Sequence, residues 1–122
     1  EHMPLYECVF IARNDVTQAW MDAQAYQLYT LRDVTDVVEG RSPGARSSLN
    51  KLWWSELDVR LHETALSLLG PLGELVDDAP AAVDAGAWMK GYEFSLSGPI
   101  YAGTNEIQRN IVAERVLGLP RK

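Results

Sequence analysis

The densest concentration of reactive side chains lies near the end of the sequence, in GPIYAGTNEIQRNIVAERVLGLPR, from Gly98 to Arg121. Tyr101, Gly103, Thr104, Asn105, Glu106, Gln108 and Arg109 are gathered around one helix start. Part of this cluster fits a capping box, in which the Asn105 side chain accepts from a helix amide and Gln108 reaches back to the helix start. Gly103 then relaxes the backbone ahead of the helix. Capping leaves Tyr101, Thr104 and Arg109 without a role. A helix start preceded by glycine also presents free amides that suit a phosphate or another anion.

Other reactive residues carry less. His62, among Arg60, Leu61 and Glu63, has no second histidine or cysteine at ligand spacing and reads as a structural or surface histidine. Asp77-Asp78 lacks the spacing of a calcium loop and reads as solvated charge. Trp53 and Trp54 place adjacent indoles on different parts of one helix, one toward the core and one toward a neighbouring surface. Ser55, Ser67 and Ser95 have no nucleophile-elbow context, and no Ser-His-Asp set can be assembled. The single cysteine, Cys8, excludes an internal disulfide and a cysteine-rich zinc site, and no metal site is expected.

The elements that must position the cluster are helical. From Asp15 to Glu39, the residues Val16, Ala19, Trp20, Ala23, Leu31, Val34 and Val38 recur at steps of three and four, which predicts a long helix with one buried face. Val9, Phe10 and Ile11 prolong its apolar character toward Glu7. Gly40 stops it, and Arg41-Ser42-Pro43-Gly44 forms a loop. A second helix is predicted over Ser47–Leu69, with Ser47 or Ser48 as N-cap and Gly70-Pro71 as terminator. Its stripe is Leu49, Trp53, Leu57, Leu61, Ala65 and Leu68, widened by Leu52, Trp54 and Leu66. The acidic stretch from Leu72 to Gly86 is a loop or frayed turns. A short helix follows over Trp88–Ser97, and the last helix runs from Asn105 to Val116 or Leu117, closed by Gly118-Leu119-Pro120. The expected fold is all-α: an antiparallel helical bundle of up-down topology. Apolar residues nearly encircle the last helix, so more than this bundle is needed to cover it.

The chain has 122 residues, 47% hydrophobic and 23% charged, enough for one domain with one core. A net charge of −6 disfavours nonspecific binding to nucleic acid or to an anionic membrane. No apolar run approaches the roughly 20 residues that span a bilayer, and no signal peptide is visible, so the cytoplasm is the expected compartment. Residues 1–3, Glu-His-Met, read as a tag or cloning remnant, which leaves His2 without functional weight and residues 4–122 as the domain. That domain is expected to begin partway through a larger protein.

Four segments together resemble the carboxy-terminal helical domain of the acyl-CoA dehydrogenase family. They are Gly70-Pro71-Leu72-Gly73, Trp88-Met89-Lys90-Gly91-Tyr92, the run from Ile100 to Arg109, and the closing run from Ala113 to Arg121. The resemblance covers nearly the whole chain but only the last third of a family member. It implies that the first helix of this domain, a middle β domain and an amino-terminal helical domain lie outside the sequence. It further implies FAD as cofactor, an acyl-CoA thioester as substrate, α,β-dehydrogenation as reaction, and electron-transferring flavoprotein as electron acceptor. The implied assembly is a dimer that pairs into a tetramer, from like or unlike subunits.

Residue by residue, the resemblance implies that Thr104, Asn105 and Glu106 form the flavin-contacting turn. Gly103 and Tyr101 fall on the substrate side. Ser67 and Gly70 occupy the turn that meets the adenosine half of FAD from a neighbouring subunit. Many members have glutamine in place of Ser67 and a second glycine in place of Pro71, whose ring removes a backbone donor. Most members carry the catalytic glutamate where this chain has Ala102, so no catalytic base is expected from these residues. The base then lies on the missing helix, or on a partner whose chemistry this chain supports as a non-catalytic half-site. A helical interaction module unrelated to the family is the remaining alternative.

Overall fold

Two long helices set the frame. The structure, a computed structural model, describes residues 13–76 and 79–121. Helix α1 spans Asn14–Val38, and α2 spans Ser47–Leu69 after a 3₁₀ turn at Gly44–Arg46. Further 3₁₀ turns at Gly70–Glu74 and Val83–Gly86 lead to α3, Ala87–Ser95, and then to α4, Asn105–Ile111. The last helix continues as a π-turn over Val112–Val116. No strand occurs among the described residues, so the expected all-α class holds. Cys8, the apolar run Val9–Ile11, Asp77-Asp78 and residues 1–3 lie outside the described residues.

Contacts between α1 and α2 run in opposite order along the two helices: Tyr26 with Asn50, Asp22 with Arg60 and Arg13 with Ser67. That order makes the hairpin antiparallel. Helix α2 is the central strut, packing against α1 on one side and against α3 and α4 on others. Leu57, near its middle, is the one apolar side chain buried to 4% exposure among the described residues.

The expected buried stripe of α1 divides. Val16, Ala19 and Ala23 are half-buried, whereas Trp20, Leu31, Val34 and Val38 are exposed. The face that meets α2 is polar and aromatic instead. The Tyr26 hydroxyl donates to Asn50 Oδ1 at 3.0 Å, and Asn50 Nδ2 donates to Thr30 Oγ1 at 3.1 Å. Tyr26 and Tyr29 pack their rings on Trp53 at 6.0 and 5.7 Å. Buried Asp36 accepts from Arg41 Nη2 and Arg46 Nη2, both at 2.6 Å, and so ties both ends of the α1–α2 loop together. These directional bonds hold α1 by its hydroxyls and carboxylates and turn its aliphatic side outward.

Neither Ser47 nor Ser48 caps α2. The chain enters the helix through the 3₁₀ turn, where Arg46 N–H donates to Pro43 O at 3.1 Å, so no side-chain cap is needed. Ser47 Oγ donates back to Gly44 O at 2.8 Å, and Ser48 is buried. At the other end Gly70, at φ +55°, terminates α2. Leu68, placed in the apolar stripe, is exposed there. The last helix is covered on part of its circumference: Ile111, Val112 and Ala113 are half-buried, and Ile107, Val116 and Leu117 are exposed.

Candidate functional site

The reactive cluster stands on a sharp reversal between α3 and α4. Gly98 N–H donates to Ser95 O at 2.9 Å, Tyr101 N–H to Ser97 O at 3.1 Å, and Asn105 N–H to Pro99 O at 2.9 Å. A side chain at Gly98 would meet Ser95 O at 3.0 Å and the Ser55 and Trp54 side chains at 3.4 Å, so glycine lets the end of α3 lie directly on α2. The backbone then turns left-handed at Ala102, φ +55°, and Gly103, φ +83°. Glycine adopts this conformation without strain, whereas alanine pays about 1–2 kcal/mol.

The capping differs from the expected box. Thr104 is the N-cap, and its hydroxyl oxygen accepts from Ile107 N–H at 3.4 Å. Gln108 reaches past the cap, donating from Nε2 to Ala102 O at 3.0 Å. Asn105 is the first helical residue and is buried to 3% exposure. Its side chain points at α2 because three polar groups there complete its hydrogen bonding. Lys51 Nζ donates to Asn105 Oδ1 at 2.6 Å and Ser55 Oγ at 3.2 Å, while Asn105 Nδ2 donates to Glu56 Oε1 at 3.1 Å. Glu56 also pairs with Arg109, one turn further along α4. Sequence reasoning missed Lys51, Ser55 and Glu56. The i, i+4 spacing of Lys51 and Ser55 puts those two on one face of α2 and was the available signal, whereas Glu56 lies about 100° further round the helix.

The open surface of this reversal is formed by Tyr101, Ala102 and Gly103, all exposed, with the Tyr101 ring 5.9 Å from that of Trp54. The Gly103 and Thr104 amides make no hydrogen bond among the described residues. A Cβ at Gly103 would come within 2.8 Å of Gln108 Nε2 and displace it from the Ala102 carbonyl. Glu106 is exposed, and its carboxyl is held below the usual range. Its own backbone amide contributes most, followed by the Thr104 hydroxyl, with the charges of Arg109 and Lys51 assisting. A carboxylate so stabilised in its ionised form is a poor proton acceptor.

Ser67 and Gly70 sit elsewhere. Ser67 Oγ accepts from Arg13 Nη2 at 2.8 Å at the far end of α2, and a Cβ at Gly70 would meet nothing within 4 Å. From Ser55, where the reversal packs, to Ser67 is roughly 18 Å along the helix axis at the α-helical rise. The predicted residues thus form two separate patches, not one pocket. His62 is structural, as expected: its Nδ1–H donates to Asp58 O at 2.9 Å, its ring edge meets Trp88 at 6.1 Å, and Gly91 makes room for its Nε2. Trp53 faces α1 and Trp54 the reversal, a division between two surfaces with both rings half-buried.

This sequence and shape recur in known proteins. Residues 10–117 match the family described as acyl-CoA dehydrogenase, C-terminal domain. The acyl-CoA dehydrogenase IpdE1 of Mycobacterium tuberculosis is 36% identical over 115 residues, covering 92% of this chain and 28% of that protein. Among solved structures, a steroid ACAD named Tcur3481-Tcur3483 superposes with a TM-score of 0.85 at 25% identity, over 90% of this chain and 29% of that one. The ChsE4-ChsE5 complex from Mycobacterium tuberculosis superposes with a TM-score of 0.77 at 27% identity, over 88% and 27%. The chain therefore spans under a third of the length of these relatives. Helical order, reversal and closing run agree with one assignment: the chain belongs to the acyl-CoA dehydrogenase family, as its C-terminal domain.

Proposed function

We propose that this chain is the C-terminal part of an FAD-dependent enzyme that dehydrogenates an acyl-CoA thioester between its α and β carbons, with the catalytic base supplied from outside these residues. The observation that carries the reading is the Ala102–Gly103–Thr104 turn, exposed at Ala102 and Gly103. It offers two unbonded amides and no Cβ at Gly103, beside an alanine that cannot accept a proton. The family generally depends on FAD, and the residues present fit part of such a site. Bound FAD would supply the hydride acceptor. Thr104 and Glu106 would border the flavin, with the Gly103 amide and the Tyr101 ring on the acyl side. Asn105 contributes through position alone, because its side chain and amide are already bonded within the chain. Ser67 and Gly70, at the other end of α2, suit the adenosine half of a second FAD held by a neighbouring subunit.

A second reading is favoured by Ala102 together with the two-protein complex among the similar structures. Here the chain belongs to one subunit of a heteromeric enzyme, completing an assembly whose chemistry occurs in its partner. In either case electron-transferring flavoprotein would take the electrons, and the cytoplasm is the proposed compartment. No helix among the described residues is long and apolar enough to cross a membrane. The test is to purify the full-length protein alone and with a co-expressed partner subunit. Flavin absorbance and dye-coupled oxidation of straight-chain and steroid-derived acyl-CoA substrates are then recorded. Flavin and turnover in either preparation support the family activity, and turnover only with the partner selects the heteromeric form. Absence of both from both preparations overturns the proposal.

A further inference from the structure

The side chain of Asn105 is oriented by chemistry as well as by packing. Lys51 can only donate and Glu56 can only accept, so the carboxamide must turn its oxygen to Lys51 and its nitrogen to Glu56. Ser55 Oγ, fully buried, adds a second donor to the same oxygen. Aspartate here would keep Lys51 but oppose Glu56, and leucine would remove all three bonds, leaving Ser55 with Leu52 O, Glu56 with Arg109, and Lys51 without this acceptor. With Asn105 and Ser55 buried, Lys51 half-buried and Glu56 at the exposed rim, this three-way junction fixes one position and one rotation for the residue that carries it.

Asn105 directly follows Thr104, and its own amide is bonded to Pro99 O at 2.9 Å. The left-handed pair Ala102–Gly103 is therefore held between two anchors: the Gln108 bond to Ala102 O and the Asn105 junction. We propose that Asn105, clamped by Lys51, Ser55 and Glu56 of α2, is a positioning residue that sets the Gly103 and Thr104 amides at the flavin and substrate site. The role in flavin and substrate binding rests on the function proposed above, whereas the clamping of the turn does not.

The experiment uses the full-length protein with its partner subunit and the variants Lys51→Met, Lys51→Arg, Asn105→Ala and the Lys51→Met/Asn105→Ala double. Met keeps the length and half-buried stem of Lys51 while removing its donors. Readouts are the dissociation constant for FAD, the visible flavin band, the split between kcat and KM, thermal unfolding, and amide exchange over residues 98–109. Lys51→Met is expected to keep near-parental unfolding yet speed exchange at the Asn105 amide, the bonded one of the turn. It should shift the flavin band and weaken FAD or lower kcat between about 10- and 100-fold, the scale of a small misplacement. Lys51→Arg should recover most of that loss, and the double variant should fall no lower than Asn105→Ala. Parental exchange and parental flavin properties in Lys51→Met would overturn the proposal. A parent without flavin counts against the functional reading alone; exchange in Lys51→Met then decides the clamp, faster exchange supporting it and unchanged exchange sinking it.

Discussion

At Gly103 two constraints coincide: φ of +83° and a Gln108 nitrogen 2.8 Å from where a Cβ would stand. Gly103→Val should therefore both strain the turn, by about 1–2 kcal/mol, and release Gln108 from Ala102 O. In the full-length protein the expected result is less bound flavin and weaker substrate binding. Flavin content and substrate titration check it, and parental values for both would remove the turn from the site. Ala102 poses the complementary question. It is exposed, so a glutamate there is accommodated sterically. If a base on another helix already serves the α proton, Ala102→Glu brings a second carboxylate near it. Mutual repulsion should then raise at least one of the two pKa values. The expected outcome is an intact flavoprotein with a displaced pH-rate profile in dye-coupled assays. If the pocket is a non-catalytic half-site, the same substitution is expected to add activity where there was none.

Among the elements, the α1–α2 hairpin depends on Asp36. Arg41 most, then Arg46, hold its carboxyl below the ordinary value of 3.8. A carboxyl whose folded pKa is depressed adds stability above its unfolded value and loses it as pH falls through the folded value. Urea midpoints should accordingly drop below about pH 4 in the parent. Asp36→Asn should be less stable at pH 7 and show a shallower acid decline, and identical pH profiles would contradict this. In α2, Leu57→Ala should cost about 2–5 kcal/mol, measured by denaturant unfolding, because few other aliphatic side chains share the interior. The helix lengths were legible beforehand: glycine and proline punctuation predicted α2 over Ser47–Leu69, its observed extent. Which way α1 faces was not. Periodicity shows that Trp20, Leu31 and Val38 share a side, but their surroundings depend on what packs there, and Asn50, Arg46 and Trp53 claim the opposite side. The location of the reactive cluster was likewise readable, whereas its clamp joins residues about 50 positions apart in sequence.

For the whole molecule, the outward aliphatic side of α1 and the part-covered last helix describe a domain with unfinished surfaces. The 122-residue chain by itself is expected not to bind FAD tightly or to oxidise acyl-CoA, since it offers only separated parts of a pocket; submicromolar affinity in calorimetric titration would refute that. Leu31→Glu separates folding from assembly. Leu31 is exposed, so the substitution should change the stability of the isolated chain by no more than about 0.5 kcal/mol. In the full-length protein it should lower flavin content or subunit association, measured by absorbance and sedimentation.

The π-turn at Val112–Val116 carries one more implication, for insertions and deletions. Leu117 N–H bonds to Val112 O, five residues back, at 3.0 Å. A π-turn accommodates one residue more than regular α-helix would. Removing Ala113 would let the ladder close as α-helix with its backbone bonds intact. Val116 and Leu117 would then keep nearly their present phase against the upstream helix, because the π-turn holds the extra residue within about the same rotation as a regular α-turn. A one-residue deletion here should leave the closing Leu117-Gly118-Leu119-Pro120 run on the side it now occupies, whereas the same deletion within α4, which has no residue to spare, should rotate it by about 100°.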